Sequence, residues 1–288
     1  MAANIFRNFA VTLEMIKWEH SLFALPFALC GAMLAAGGWP RGTVLFWIIV
    51  AMVGARSAAM AFNRLADQTF DAANPRTQAR ALPKGRLTRQ FVVVFVLFFC
   101  GMFAFAALQL NRLAFYLAPA ALAVVLLYSY TKRFTRWSHL VLGLALGIAP
   151  SAAWIAVRGS LDPRILVLTL AVTLWVAGFD VLYACQDCEF DRQYGLHSIP
   201  QHFGIRRALL ISRLSHALVV CLLGVLLRIF GLGFWAAAGT VIVACLLAWE
   251  HSLVSSSNLS RLNAAFFTMN GVIAVVFFCF VAADLLLR

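Results

Sequence analysis

Along this 288-residue chain the apolar positions come in long runs, without the one-sided stripe of a soluble helix or the alternation of a half-buried strand. A helix needs roughly 20 residues to cross the hydrocarbon of a bilayer. Stretches of about that length without Asp, Glu, Lys or Arg occupy 21–40, 90–111, 113–131, 137–157, 229–249 and 262–283. Three more segments qualify with one or two interruptions: 42–63 (Arg56), 165–185 (Asp180) and 208–228 (Arg213, Arg228). Backbone groups in lipid must be bonded within the segment, so such runs are expected to be helices. They lack the period-2 pattern of an outer-membrane barrel. The expectation is an all-α polytopic membrane protein with nine transmembrane helices. Ahead of the first span, Ile5, Phe9, Leu13 and Ile16 fall at helical spacing, which predicts an interfacial N-terminal helix within 1–20. Arg7, Glu14, Lys17 and Glu19 interrupt that segment and make it unlike a cleaved signal peptide.

Composition agrees. The chain is 63% hydrophobic and 12% charged, with a mean hydropathy of +0.90. Soluble domains are about 45–50% apolar and about 25% charged. A soluble globule is thus excluded, and so is disorder, which needs low hydrophobicity. The net charge of +12 would suggest nucleic acid in a soluble protein. Here its distribution gives another reading. The N-terminus and the loops after spans 2, 4, 6 and 8 carry Arg7, Lys17, Arg64, Arg76, Arg80, Lys84, Arg86, Arg89, Lys132, Arg133, Arg136, Arg192, Arg206, Arg207 and Arg261. The opposite face carries Arg41, Arg112, Arg158, Arg164, Arg228 and Arg288. Cytoplasmic loops collect Lys and Arg, which predicts a cytoplasmic N-terminus in a bacterial-type inner membrane. The bilayer is the expected partner, and nucleic acid is not. Cys185 and Cys188 form a CxxC without the second ligand pair of a zinc site or the context of a redox motif.

Two loops, 63–90 and 186–207, are long, polar and on the same predicted cytoplasmic face. Long loops in compact folds are usually functional. The first holds Asn63, Asp67 and Asp71 at i, i+4 and i+8, within about 80° of one another on a helix. The second brings Asp180, Tyr183, Asp187 and Asp191 to one face. Both contain D-x-x-F-D, 120 residues apart, after the second and the sixth span. That spacing implies a weak internal repeat of four helices, plus a ninth. Sites in repeat-built membrane proteins tend to lie where the repeats meet.

Carboxylates at i and i+4 repel, and a second such pair facing the first adds to the conflict. Cations resolve it. Mg²⁺ takes oxygen ligands and is usually held by one or two carboxylates together with substrate phosphates. Arg76, Arg80, Lys132 and Arg133, on the same side, are residue types that bind phosphate. Matched carboxylate pairs mixed with basic residues therefore point to a metal–diphosphate. Asn63, Asp67, Asp71, Asp187 and Asp191 are the candidate metal ligands. Arg56 and Asp180 lie inside spans, where an ionised side chain costs ~2.5–3.5 kcal/mol or more. Two readings stay open for them: a structural ion pair, or an anion site in which Arg56 meets a substrate carboxylate. Arg213 and His139 read as helix-end or cavity residues, and His20 as a residue at the mouth of the first span. Gly143 and Gly147 read as a close helix contact.

On these residues the chain resembles the UbiA superfamily of intramembrane aromatic prenyltransferases. The resemblance covers essentially the whole chain, read as a single domain over 1–288. It rests on Asn63-x3-Asp67-x3-Asp71 with Asn74, Arg76, Thr77, Arg80, Leu82 and Pro83, and on Asp180-x2-Tyr183-x2-Gln186-Asp187-x3-Asp191 with Gly195, Ser198, Ile199, Phe203 and Gly204. Tyr130-Thr131-Lys132-Arg133 with Thr135 adds to it. The pattern is most similar to members that prenylate 4-hydroxybenzoate. Two positions depart from the family: Arg64 stands where an Asp is usual, and Gln68 where an Arg is common. The resemblance implies helices around a central cavity with Mg²⁺-diphosphate at its cytoplasmic mouth. It implies transfer of a polyprenyl chain from polyprenyl diphosphate to an aromatic hydroxy acid, in ubiquinone or, with a dihydroxynaphthoate, menaquinone synthesis. Arg56, Asp180 and Tyr183 are then candidates for binding or orienting the acceptor. A secondary transporter for an anionic metabolite would also use intramembrane Arg56 and Asp180, but it leaves the paired carboxylates without a purpose.

Overall fold

A computed structural model describes residues 11–12, 14–16, 21–255 and 262–287. Among the described residues the long elements are all helices: α1 (Ser21–Ala36), α2 (Gly42–Ala66), α3 (Arg89–Leu110), α4 (Arg112–Thr131), α5 (Ser138–Arg158), α6 (Leu166–Ala184), α7 (Ile205–Ile229), α8 (Phe234–Ser252) and α9 (Leu262–Leu286). Eight helical segments are long and apolar enough to cross a membrane, and α1 is a shorter apolar helix over its described length. The ninth crossing stays an expectation. Of the predicted N-terminal helix, residues 11–12 and 14–16 are helical. Met15 there is buried against Ala61, Leu82 and Val92, so this segment leans on protein. The rest of it, with His20 and Glu19, lies outside the described residues.

Ends of these helices follow local chemistry. Thr88 and Asn111 cap α3 and α4 by accepting from the amides of Phe91 and Ala114. Gly159, in the left-handed region at φ 70°, ends α5. One predicted boundary moves. The span expected over 229–249 begins only at Phe234, because Gly231 turns the chain at φ 59°. Asp284 of α9 accepts from the amides of Gly233 and Ala236, two of the orphan donors at that helix start.

The helices close on themselves in chain order. Each of α2 to α8 packs on the next, α9 packs on α1, and α1 meets α2 and also α5. A core around Trp175, Phe27, Leu168, Ile273 and Phe277 fills the α1–α6–α7–α8–α9 side. Outward faces carry large exposed apolar side chains such as Val94, Leu97, Phe98, Tyr116, Leu214 and Val241. A surface of that kind suits lipid, and the chain is an integral membrane protein.

Both D-x-x-F-D segments break their helix at the same place. Asp67 (φ −97°, ψ 10°) separates α2 from a short helix, Gln68–Ala73. Asp187 (φ −100°, ψ 5°) ends a 3-10 turn, Cys185–Asp187, ahead of a short helix, Cys188–Gln193. The continuous helix expected through Asn63, Asp67 and Asp71 is thus interrupted. The i to i−4 bonds persist, from the Asp67 amide to the Asn63 carbonyl and from the Asp71 amide to the Asp67 carbonyl, so the shared face survives. Matching breaks at Asp67 and Asp187 fit an internal repeat.

Close packing of α5 on α6 sets the wall of the site. A Cβ added at Gly143 would stand 2.2 Å from the Thr173 carbonyl oxygen, and one at Gly147 2.1 Å from the Thr173 hydroxyl. Gly143→Ala is expected to destabilise the protein by ~1–3 kcal/mol through overpacking. Gly101→Ala, on an open face of α3, is expected to be neutral. Thermal unfolding of both in detergent checks this, and equal unfolding temperatures would refute it.

Candidate active site

Between α2, α4, α5 and α6 lies a cavity of about 600 Å³, closed at one end by the two long loops. All twelve candidate residues line it: Arg56, Asn63, Asp67, Asp71, Arg76, Arg80, Lys132, Arg133, Asp180, Tyr183, Asp187 and Asp191. The second loop is held in place at the end of α4, where the His197 amide donates to the Lys132 carbonyl at 2.7 Å. Arg136 Nη1 also meets His202 Nε2 at 2.7 Å.

Each of the four D-x-x-F-D carboxylates is matched with a basic side chain. Arg76 forks onto Asp187, Nε to Oδ1 at 3.0 Å and Nη2 to Oδ2 at 2.5 Å. Its Nη1 donates to the Tyr183 hydroxyl at 2.6 Å. Asn74 adds a bond to Asp187 Oδ1 at 3.2 Å. Arg80 donates to Asp71 at 2.6 Å. Lys132 lies 3.6 Å from Asp191, and Arg133 3.7 Å from Asp67. Arg133 also donates to the Ala66 carbonyl. Asn63 donates to Asp67 at 2.9 Å. Arg64 is turned inward and buried, donating to Asn63 at 3.3 Å and lying 3.8 Å from Asp71. It thus adds positive charge next to the first motif.

These charges oppose and support one another. Burial, and then the neighbouring charge of Asp71, push the Asp67 carboxyl above its ordinary value. Burial works against the Lys132 ammonium, but Asp191, followed by Asp180, Asp187 and Asp67, outweighs it and holds the proton on. Arg76 is likewise held charged against burial by its bonds to Asp187.

The donor set fits a hard divalent cation. Asp71 Oδ2 and Asp191 Oδ2 are buried without a hydrogen-bond partner, and the ligand atoms on offer are carboxylate and amide oxygens. Among the described residues no three Asp, Glu, His or Cys groups converge on one point. The carboxylates are turned to their basic partners, so gathering around an ion requires those partners to swing away.

Deeper in the cavity the two open readings of Arg56 and Asp180 separate. Among the described residues no ion pair joins them. Asp180 Oδ2 is 2.6 Å from His139 Nδ1, and Arg56 Nε is buried without a hydrogen-bond partner. Sequence reasoning missed Tyr128 as a cavity-lining residue and the pairing of buried His139 with Asp180. For Tyr128 a signal existed: it lies one helical turn before Lys132 on α4. His139 had none, because its partner is 41 positions away.

The chain is a membrane-embedded helical bundle with paired carboxylate segments over one cavity, and comparison with known proteins identifies its class as an intramembrane prenyltransferase. The sequence model of the UbiA prenyltransferase family matches residues 24–272. The chain is 33% identical over 219 residues to the 4-hydroxybenzoate octaprenyltransferase of Ectopseudomonas mendocina, covering 76% of this chain and 73% of that protein. It is 31% identical over 257 residues to the enzyme of the same name from Methylobacillus flagellatus, covering 89% and 86%. A solved UbiA homolog from Aeropyrum pernix superposes with a TM-score of 0.85 at 33% identity, over 93% of this chain and 98% of that one. A UbiA homolog from Archaeoglobus fulgidus, solved with GPP and Mg²⁺, shares the fold at a TM-score of 0.76 and 19% identity, over 96% and 99%. The chain belongs to the UbiA prenyltransferase family and is a prenyltransferase, which removes the transporter reading.

The raised Asp67 proton affinity has a sign that can be checked. An acid whose folded pKa is raised stabilises the fold at low pH, and that contribution is lost as pH rises through the folded value. In metal-free protein at pH 7, Asp67→Asn is therefore expected to unfold at a higher temperature than wild type, with the gap shrinking at pH 5. A variant less stable than wild type at both pH values would overturn this account.

Proposed function

We propose that this protein transfers a polyprenyl chain from its diphosphate to the ring of an aromatic hydroxy acid of the 4-hydroxybenzoate type, with Mg²⁺, in respiratory quinone synthesis. The observation that carries the reading is the pair of D-x-x-F-D segments over one cavity, carboxylates interleaved with basic side chains, and beneath them Arg56, whose Nε is buried without a hydrogen-bond partner. Relatives named for octaprenyl transfer to 4-hydroxybenzoate support it, as does the fold-mate solved with GPP and Mg²⁺.

In this reading Asn63, Asp67, Asp71, Asp187 and Asp191 hold the metal. Arg76, Arg80, Lys132 and Arg133 turn to the diphosphate oxygens. The metal, when bound, neutralises charge on the leaving diphosphate. The basic side chains add preorganised positive charge where negative charge develops. Breaking the C–O bond leaves an allylic cation, which water would quench, and the apolar walls from Leu142, Leu146, Val176 and Phe179 keep water away. Arg56 binds the acceptor carboxylate, while Asp180 and Tyr183 orient the acceptor ring. The isoprenoid tail runs among the apolar helices. The whole chain acts as one domain in a bacterial-type inner membrane, with this mouth facing the cytoplasm, as the distribution of Lys and Arg supports.

Purified protein is expected to prenylate 4-hydroxybenzoate with a long polyprenyl diphosphate and Mg²⁺, and Asp67→Ala and Asp187→Ala are each expected to abolish product. A panel that includes a dihydroxynaphthoate separates the ubiquinone from the menaquinone acceptor. No product from any aromatic acceptor would sink the reading. The ion pairs generate a further expectation. Carboxylates and basic residues must part together, so Mg²⁺ and inorganic pyrophosphate should raise the unfolding temperature jointly by more than the sum of their separate effects. Simple additivity would contradict that exchange of partners.

A further inference from the structure

One buried polar group near the acceptor end of the cavity has no part in the scheme above. His139, in the first turn of α5, is fully buried, and both ring nitrogens are engaged. Nε2 accepts from the backbone amide of Ile199 at 3.3 Å. That amide opens the short helix Ile199–Phe203 and is one of the orphan donors of a helix start. A nitrogen that accepts a hydrogen bond carries no proton, so the ring proton of neutral His139 sits on Nδ1. Nδ1 is the atom 2.6 Å from Asp180 Oδ2. The second loop thereby decides the tautomer of His139, and the tautomer decides that His139 donates to Asp180.

We propose that His139 is a positioning residue for prenyl transfer: it holds Asp180 as a hydrogen-bond acceptor aimed at the hydroxyl of the aromatic acceptor. The proposal rests on the function proposed above. Asp180 keeps a fifth of its side chain exposed and lines the cavity, whereas His139 is sealed off from it. With Oδ2 committed to the imidazole, Oδ1 is left to meet the acceptor. A phenol that donates to a carboxylate gains electron density in its ring, and an electron-rich ring captures an allylic cation faster. The arrangement has the logic of a ligand-orienting outer partner: one nitrogen contacts the working group and the other is tied to backbone so that the ring cannot choose the wrong tautomer. Ile199 lies in the same loop as Asp191 and His197, which is bonded to the Lys132 carbonyl.

Three substitutions test this. His139→Leu removes both bonds. His139→Asn keeps an amide donor at the Nδ1 position but loses the acceptor for Ile199. His139→Gln places an amide nearer the Nε2 position. Each is assayed for kcat and for KM of acceptor and donor, and for the shift in unfolding temperature caused by Mg²⁺ with inorganic pyrophosphate. His139→Leu is expected to lower kcat by about 10–100-fold, the usual cost of removing an orienting partner, and to raise KM for the acceptor. Its KM for the polyprenyl diphosphate and its Mg²⁺-pyrophosphate shift should match wild type. His139→Asn is expected to recover most of kcat, and His139→Gln less. Three outcomes overturn the proposal: His139→Leu with undiminished kcat, an Asn variant no better than Leu, or loss of the Mg²⁺-pyrophosphate shift along with activity, which marks a structural role. Wild-type protein that converts no acceptor overturns the proposed function itself, and this inference with it. Wild-type turnover matched by the Leu variant overturns only the role of His139.

Discussion

Everything at the mouth of this cavity depends on placing negative charge where water is scarce. Asp71, Asp187 and Asp191 are almost fully buried, and a lone buried carboxylate would rather take up a proton than stay ionised. Arg80, Arg76 and Lys132 stand against them, and Arg133 lies beside Asp67. Lys132 and Arg76 are in turn held charged by the carboxylates they face. At the most buried of these pairs, Arg76–Asp187 and Arg80–Asp71, removing one member leaves its partner short of a charge-assisted hydrogen bond. A ligand of mixed sign, a cation carrying a diphosphate, can replace both halves at once.

That requirement explains the architecture around it. The carboxylates come from two equivalent segments, each interrupted at its first Asp with almost the same backbone angles. The interruption lets a short helix turn from the membrane-crossing helix over the cavity. The bundle supplies rigid walls. Gly143 and Gly147 let α5 sit against Thr173 of α6, which brings His139 within reach of Asp180. Lipid-facing positions carry no such constraint beyond being apolar, as Phe98, Leu214 and Val241 illustrate.

Arg64 shows how a departure from a family's pattern can be read physically. An acidic residue at that position would add a carboxylate to the first motif. The guanidinium found here turns inward to Asn63 and Asp71 instead. It brings positive charge to a motif whose Gln68 has none to offer. The charge balance of the mouth is therefore kept by a different residue on the same turn of chain.

Much was legible in the sequence, because hydrocarbon imposes its rules locally. A run of apolar residues long enough to span the bilayer has to satisfy its own backbone, so the approximate bounds of the long helices and the all-α class follow from one-dimensional pattern. The two matched D-x-x-F-D copies were equally local, and all twelve residues singled out do line one cavity. Pairing was not legible. Whether Asp180 belongs to Arg56 or to His139, which basic residue meets which carboxylate, and that Asp284 serves the start of α8 are decisions between residues tens of positions apart. The break at Asp67 and the later start at Phe234 are of the same kind. Composition and periodicity determine which segments enter the membrane and which charges gather at its face. Only packing decides which charges touch, because a contact depends on the distance between helices, and no single helix encodes that distance.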